Sequence, residues 1–382
     1  MSQFPLFLHA TGQWAKKVRG RMVYFGKDKA AALAKWLKEK DDLQAGRSPR
    51  TFGEGLTLGS LVNRFLSAKR LLVDSGDLSH RTWTDYHGAL VKLSAIIGKH
   101  RPVESITTED LEALRARLAK GRGSHSLANH VQRIRTLFKY AWDVGLIQNQ
   151  LRMGPAFRKP SARQMRTAKH SSEPWTIGAD DLRAILDAAG QPLRAMILLG
   201  INCGFGNSDI ASLPLSAIAD GWVSFPRPKT AIPRRAKLWP ETVEALREAI
   251  AARPAPRNPA DAGLVFLTSR GNRWVRVIDR GPTKPAVPLD SVRLEFDKIL
   301  VALKLKRRGR SFYSLRHTFR TVADAAQDQP AAASIMGHVQ TDMASHYRER
   351  IGDDRIEAVT SLVRLWLWPK PKLYSPKSKA SG

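Results

Sequence analysis

The chain has 382 residues, enough for two or three domains at about 100–200 residues each, and 43% of them are hydrophobic, enough for real cores. Lys and Arg number 63 against 34 Asp and Glu, a formal net charge of +29; that much self-repulsion calls for a polyanionic partner, nucleic acid above all, with a merely well-solvated surface as the plainer alternative. One cysteine, Cys203, excludes an internal disulfide and a cysteine-built zinc site, and neither the start MSQFPLFLHATGQW nor the run AMILLGINCGF suits a secretion signal or a membrane span, so a soluble, cytoplasmic, nucleoid-associated protein is expected.

Residues 1–46 read as a small unit. FLHATGQWAKKVRGRMVYFG alternates apolar and polar residues around Gly12, Gly20 and Gly26, which predicts two or three short strands. DKAAALAKWLKEKDDLQAG then predicts a helix stopped at Gly46. Lys16, Lys17, Arg19 and Arg21 share the ribbon with Trp14. A ribbon of that kind is narrow enough to enter a DNA major groove; a plain hairpin with its lysines in water is the equal alternative.

RSPRTFGEG, 47–55, reads as a linker. Residues 56–150 carry helical periodicity throughout. Thr57, Ser79 or Thr82, and Thr107 or Thr108 are candidate N-caps, with Glu109 and Asp110 in a first turn and Gly121 as a stop. Four helices, the last spanning SHSLANHVQRIRTLFKYAWDVGLI, make an all-α domain. The basic, Pro-containing segment 151–174 reads as a second linker, suited to lie along a phosphate backbone.

Residues 175–354 are mixed. Helices are expected in TIGADDLRAILDAA, QPLRAMILLGINCGF, DSVRLEFDKILVALKL, YSLRHTFRTVADAA, PAAASIMGHV and DMASHYRE. GWVSFPRPKTAIPRRAKLWP reads as a hairpin and GLVFLTSRGNRW as a strand and turn. Trp36, Trp142 and Trp175 are expected in cores, and Trp239 is expected to pack the hairpin onto the next helix. In residues 355–382 the apolar Leu362, Leu365 and Trp366 predict a helix that packs on a neighbouring protomer or on its own domain, followed by a basic tail.

Four pieces of this last domain can carry chemistry together. SLRHTFRT opens a helix with Arg316 and His317, a planar cation near the positive end of a helix dipole. His338 follows Gly337 at a turn in MGHV. Tyr347 lies nine residues on, beside Arg348 and Arg350; its phenol, with an ordinary pKa of about 10, needs neighbouring cations to attack phosphorus. Lys229, in the hairpin stretch PRPKTAIPRR, is placed to protonate a leaving oxygen. Each also has an ordinary structural reading when taken alone.

In order, type and spacing these pieces resemble the tyrosine recombinase, or phage integrase, family. LRHTFRT resembles the family's second-arginine box, MGH with tyrosine nine residues later its final box, and PRPKT its β-hairpin lysine. LLGINCGFGNSDIASLPLSAI, 198–218, is similar to the stretch that carries the first arginine. The resemblance implies a mainly α fold with small β-hairpins: an N-terminal arm-binding ribbon plus helix, an all-α core-binding domain, and an α+β catalytic domain. It implies that Tyr347 forms a 3′-phosphotyrosyl link, that Lys229 protonates the 5′-oxygen, and that Arg316 and His338 hold the non-bridging oxygens. Neither metal nor ATP is required, because side-chain cations stabilise the charge and the ester conserves the bond energy. The partners implied are double-stranded DNA, three further protomers in a tetramer on two DNA sites, and an accessory DNA-bending protein; no membrane is implied.

Two positions depart from the family pattern. Gly206 stands where the first arginine is expected, and Tyr313 where histidine is usual. Arg320, one turn after Arg316, is the first candidate for the missing cation, with Arg194, Arg234 and Arg235 as others. Arg227, Arg234 and Arg235 of the hairpin are also expected to meet DNA. The function implied is site-specific recombination or integration for a mobile element. A catalytically impaired, site-binding or regulatory relative is the alternative that Gly206 raises, and a supercoil-relaxing topoisomerase of the same chemistry is a third.

Overall fold

The structure is a computed structural model and describes residues 4–44, 56–171, 173–278, 287–339, 343 and 349–369. The chain divides into two compact units, residues 1–172 and 173–382. It is mainly helical, with three small antiparallel sheets among the described residues.

The first unit opens with strands β1 (Phe7–Leu8), β2 (Trp14–Val18) and β3 (Arg21–Gly26), paired in that order. Arg19 and Gly20 close the β2–β3 hairpin with φ of 49° and 81°, the backbone a two-residue hairpin turn needs to match strand twist. Helix α1 (Lys29–Gln44) covers the sheet, and Leu6, Phe25, Ala32 and Trp36 form its core.

Four helices follow: α2 (Leu58–Asp74), α3 (His80–Ile97), α4 (Thr108–Ala119) and α5 (Ser124–Asp143). Their starts are set by hydroxyls that accept orphan backbone N–H groups. Thr57 accepts from Ser60, Ser79 from Thr82, and Thr107 exchanges bonds with Asp110 in a capping box. The apolar stripe of α5, with Leu127, Val131, Ile134 and Phe138 at helical spacing, buries against Leu61, Phe65, Leu90 and Leu114.

The segment read as a linker is largely structured. Phe157 is fully buried in the helical core, and its carbonyl accepts from Arg135 at 3.1 Å while that of Arg158 accepts from Arg115 at 2.8 Å. A further helix, α6 (Ala162–His170), begins at a Ser161–Gln164 capping box.

The second unit contains α7 (Ala179–Ala188), α8 (Leu193–Asn202) and the short α9 (Asn207–Ala211). A three-stranded sheet of β4 (Ile218–Ala219), β5 (Trp222–Ser224) and β6 (Arg235–Lys237) comes next, then α10 (Pro240–Ala251). A ribbon of β7 (Val275–Ile278) and β8 (Val287–Asp290), unforeseen in the sequence, leads into α11 (Ser291–Ala302). GLVFLTSRGNRW forms a turn with one isolated bridge, Leu264 to Pro214, rather than a strand. Helices α12 (Ser314–Ala323), α13 (Gln329–Met336) and α14 (Asp353–Leu367) complete the described part. Helix α8 is buried on every side, and Gly200 lets α12 approach: a Cβ there would lie 2.7 Å from a Leu315 methyl.

Two expectations are corrected. Trp142 and Trp175 are 45% and 47% exposed, whereas Trp36 is buried. Trp142 falls off the α5 stripe and Lys139 lies over its ring, while Trp175 rests edge-on against His317 at the surface. Of the two alternatives for the C-terminal helix, packing on its own domain is seen for one of its faces, while Leu365 remains exposed. Ile356, Val359, Val363 and Leu367 enter the core, and Trp239 donates to the Thr360 carbonyl at 2.9 Å. Arg355–Asp328 and Arg364–Glu241 ion pairs fasten the same helix at 2.7 and 2.6 Å.

Candidate active site

Arg316 is the centre of the site. It sits in the first turn of α12 and is 2% exposed. Its guanidinium donates to the Gly204 carbonyl, on the loop after α8, and at 2.8 Å to the Met336 carbonyl, at the end of α13. One cation thus ties together the stretch around Gly206 and the MGH stretch, more than a hundred positions apart. Among the described residues no carboxylate bonds it directly. Burial, and then the Arg227 charge, pull its pKa down to about 10, so it remains charged at neutral pH.

His338 follows two residues after the Met336 carbonyl. Gly337 ends α13 at φ 60°, the left-handed conformation that glycine adopts without strain. Burial first, then Arg316, Arg227 and Arg320, push the His338 pKa down to about 4. The imidazole is therefore neutral at physiological pH and surrounded by cations, ready to share a proton with an anion placed between them.

The β5–β6 hairpin reaches the same place. Its loop closes through Arg227 N–H to the Ile232 carbonyl at 2.9 Å, and Thr230 Oγ1 donates to the Gly337 carbonyl at 3.3 Å. The Arg227 side chain runs past Gly337 so closely that a Cβ there would lie 3.0 Å from its own. Lys229 is exposed in the turn beside Thr230. The structure thus gathers Arg316, His338 and Arg227, with Lys229 on the hairpin tethered to Gly337. Tyr347 lies outside the described residues.

Gly206 precedes α9, and its N–H donates to the Asp209 carboxylate at 2.7 Å. A Cβ on Gly206 would meet the Tyr313 ring at 3.3 Å, so Tyr313, half exposed, covers the position. The same Asp209 faces the Arg234 guanidinium at 3.2 Å, and both residues are buried. The sequence marked Arg234 only as one of several alternatives. Its nearness to Gly206 depends on the hairpin folding back onto α9, which no local pattern reveals.

Several other expected residues are committed to other partners. Arg320 pairs with Asp324 at 3.0 Å and also bonds Gln329. Arg194 turns to the Leu186 carbonyl on α7. Arg235 holds Asp353 through two bonds of 3.0 Å, stacked over Trp222, and so fastens the start of α14. In the first unit, Lys16 points toward the small core: it donates to the Pro5 carbonyl at 2.9 Å and lies over the Trp36 ring. Lys17 and Arg19 are exposed on the ribbon, and the Arg21 side chain is outside the described residues.

No protein-family model matches the chain, and no curated protein matches it. Solved structures do. A lambda integrase dimer bound to a COC′ core site aligns over 92% of this chain and 95% of its own, at 18% identity and TM-score 0.57. A lambda integrase tetramer bound to a Holliday junction aligns over 92% and 98%, at 18% identity and TM-score 0.56. An integrase of the Tn1549 transposon in complex with a circular intermediate DNA covers 78% of this chain and 97% of its own, at 16% identity and TM-score 0.56. The likeness is one of fold: this chain has the tyrosine-recombinase fold across most of its length.

Proposed function

We propose that the chain is a site-specific DNA strand transferase that cuts and rejoins double-stranded DNA through a 3′-phosphotyrosyl intermediate on Tyr347. The observation that carries this reading is the buried Arg316, bonded at once to the loop before Gly206 and to the carbonyl two residues before His338. Three separated stretches converge on one surplus of positive charge, which is what a backbone phosphate needs.

In the reaction, the Tyr347 phenol gives up its proton to water, its oxygen attacks phosphorus, and the bond to the 5′-oxygen breaks. Lys229 donates a proton to that leaving oxygen. Arg316 and His338 hold the two non-bridging oxygens as charge accumulates on them. Reversal with a new 5′-hydroxyl rejoins the strand. DNA-bound dimers and tetramers among proteins of this fold support assembly of this chain on DNA, and the net charge of +29 supports the DNA itself. The division into an arm-binding ribbon, a core-binding helical domain and a catalytic domain, and service to a mobile element with an accessory bending protein, belong to the same proposal.

A second reading, a catalytically impaired site-binding protein, draws on Gly206, whose backbone has no cation to offer. Incubation with a nicked duplex that traps covalent intermediates separates the two. The strand-transfer reading expects a protein–DNA adduct that Tyr347→Phe abolishes while binding persists. DNA binding with no adduct establishes the second reading instead.

A further inference from the structure

Arg234 is a second buried cation beside Arg316. Its side chain is 1% exposed. Its Nε donates to the Phe225 carbonyl at 2.8 Å, and its guanidinium lies 3.9 Å from the Phe205 ring centroid, with Phe225 beyond at 5.4 Å. Neither terminal nitrogen has a hydrogen-bond acceptor among the described residues, although Nη2 stands 3.2 Å from Asp209 Oδ1 as an ion pair. Burying a charge is costly unless it is paired and its donors are used. Here several donors remain unspent.

The surrounding charges do not balance. Burial first, and then neighbouring guanidinium charge, lower the proton affinity of Arg316 (Arg227 and Arg234) and of Arg234 (Arg227), while the Asp209 carboxylate acts in the opposite direction on both. Asp209 also accepts from the Gly206 N–H at 2.7 Å. One carboxylate therefore bridges the residue that has no side chain and the Arg234 guanidinium. Gly337 contributes to the fit, since a Cβ there would stand 3.4 Å from Arg234 Cδ.

We propose that Arg234 supplies, from the hairpin, the charge that Gly206 cannot supply from α9, acting as a positioning residue behind the phosphate held by Arg316 and His338. This rests on the strand-transfer reading and deepens it. Arg234 makes no covalent change; it raises the positive potential at the anion in a water-poor setting, where a fixed charge acts strongly. Its salt bridge sets the Gly206–Asp209 turn, which in turn sets the Gly204 carbonyl that orients Arg316. A side chain at position 206 begins without backbone strain, because Gly206 has an ordinary extended backbone (φ −97°), and its Cβ meets the half-exposed Tyr313 ring at 3.3 Å and Asp209 Oδ2 at 3.5 Å.

The test uses the full chain and a nicked duplex, with single-turnover adduct formation and DNA affinity measured separately. Arg234→Met is expected to slow adduct formation about a hundredfold with affinity little changed. Adding Gly206→Arg to that variant is expected to recover at least tenfold, a suppression that a purely structural role for Arg234 does not produce. Arg234→Lys, which keeps the charge, is expected to lie between wild type and Arg234→Met. If Arg234→Met does not fold, Asp209→Asn/Arg234→Met replaces it, since the orphaned carboxylate is then removed, and the same pair of results is required. Adduct formation within threefold of wild type, or a loss that Gly206→Arg does not relieve in folded, DNA-binding protein, overturns the role of Arg234 alone. Absence of a Tyr347-dependent adduct in the wild type overturns the strand-transfer reading with it.

Discussion

His338 offers a titration whose sign and size follow from its neighbours. Burial and the charges of Arg316, Arg227 and Arg320 lower its pKa from an ordinary 6.5 to about 4. Folded protein therefore binds fewer protons than unfolded protein between those values. The stability that this neutral imidazole contributes is complete above pH 6.5 and is lost as pH falls through about 4. At about 1.4 kcal/mol per pKa unit the full loss would be roughly 3 kcal/mol, reduced to about 2 for a half-buried group. Urea unfolding between pH 4 and pH 7 should show the slope in wild type and a shallower one in His338→Asn, which is neutral throughout. Proton NMR of the ring gives the midpoint directly. A duplex bearing the target phosphate should raise it, because an anion between His338 and Arg316 favours the imidazolium. A midpoint near 6.5 in the free protein, or one indifferent to bound DNA, would refute this picture of a neutral histidine inside an arginine cluster.

Further outcomes are expected elsewhere. Lys229→Ala should slow cleavage about 10²–10⁴-fold, and most of that loss should vanish on a substrate whose leaving atom is sulfur, which departs without a proton. Arg320→Ala should raise the His338 midpoint, since one of the three cations acting on it is gone, while adducts still form because Arg320 is committed to Asp324 and Gln329. Phe157→Ala should destabilise the helical core by about 3–5 kcal/mol in chemical unfolding, although its position in a basic, Pro-containing stretch suggests a dispensable linker. Val363→Ala should cost about 1–2 kcal/mol in the second unit, as expected of a helix whose Val363 lies in that unit's own core.

What the sequence reveals and conceals divides by range. Helix starts at Thr57, Ser79 and Thr107 are legible because a cap is a local bond, closed within three residues. The same rule covers Ser161 and Gln164, yet the surrounding polar and basic residues disguise α6 as a linker. Arg316 and His338 are legible by type and spacing, whereas the carbonyls that bind Arg316 belong to backbone, which carries no sequence signal. Lys16 looks like a DNA contact until the strand's alternation turns it toward Trp36. Arg234 and Arg235 are adjacent basic residues that no pattern separates. The strand sends one inward to Asp209 and the other outward to Asp353, which lies 118 positions along the chain. Long-range pairings of that kind decide which arginines remain for phosphate.

The central claim is that Tyr347 becomes covalently joined to a DNA 3′-phosphate. The most direct measurement is digestion of the trapped adduct with trypsin and nuclease, followed by mass spectrometry of the nucleotide-bearing peptide. The account predicts that the label falls on Tyr347, in the peptide spanning residues 321–348, with a free 5′-hydroxyl on the released strand. A nucleotide on any other residue, a 5′-phosphate linkage, or unmodified Tyr347 in protein that has cut DNA would contradict it.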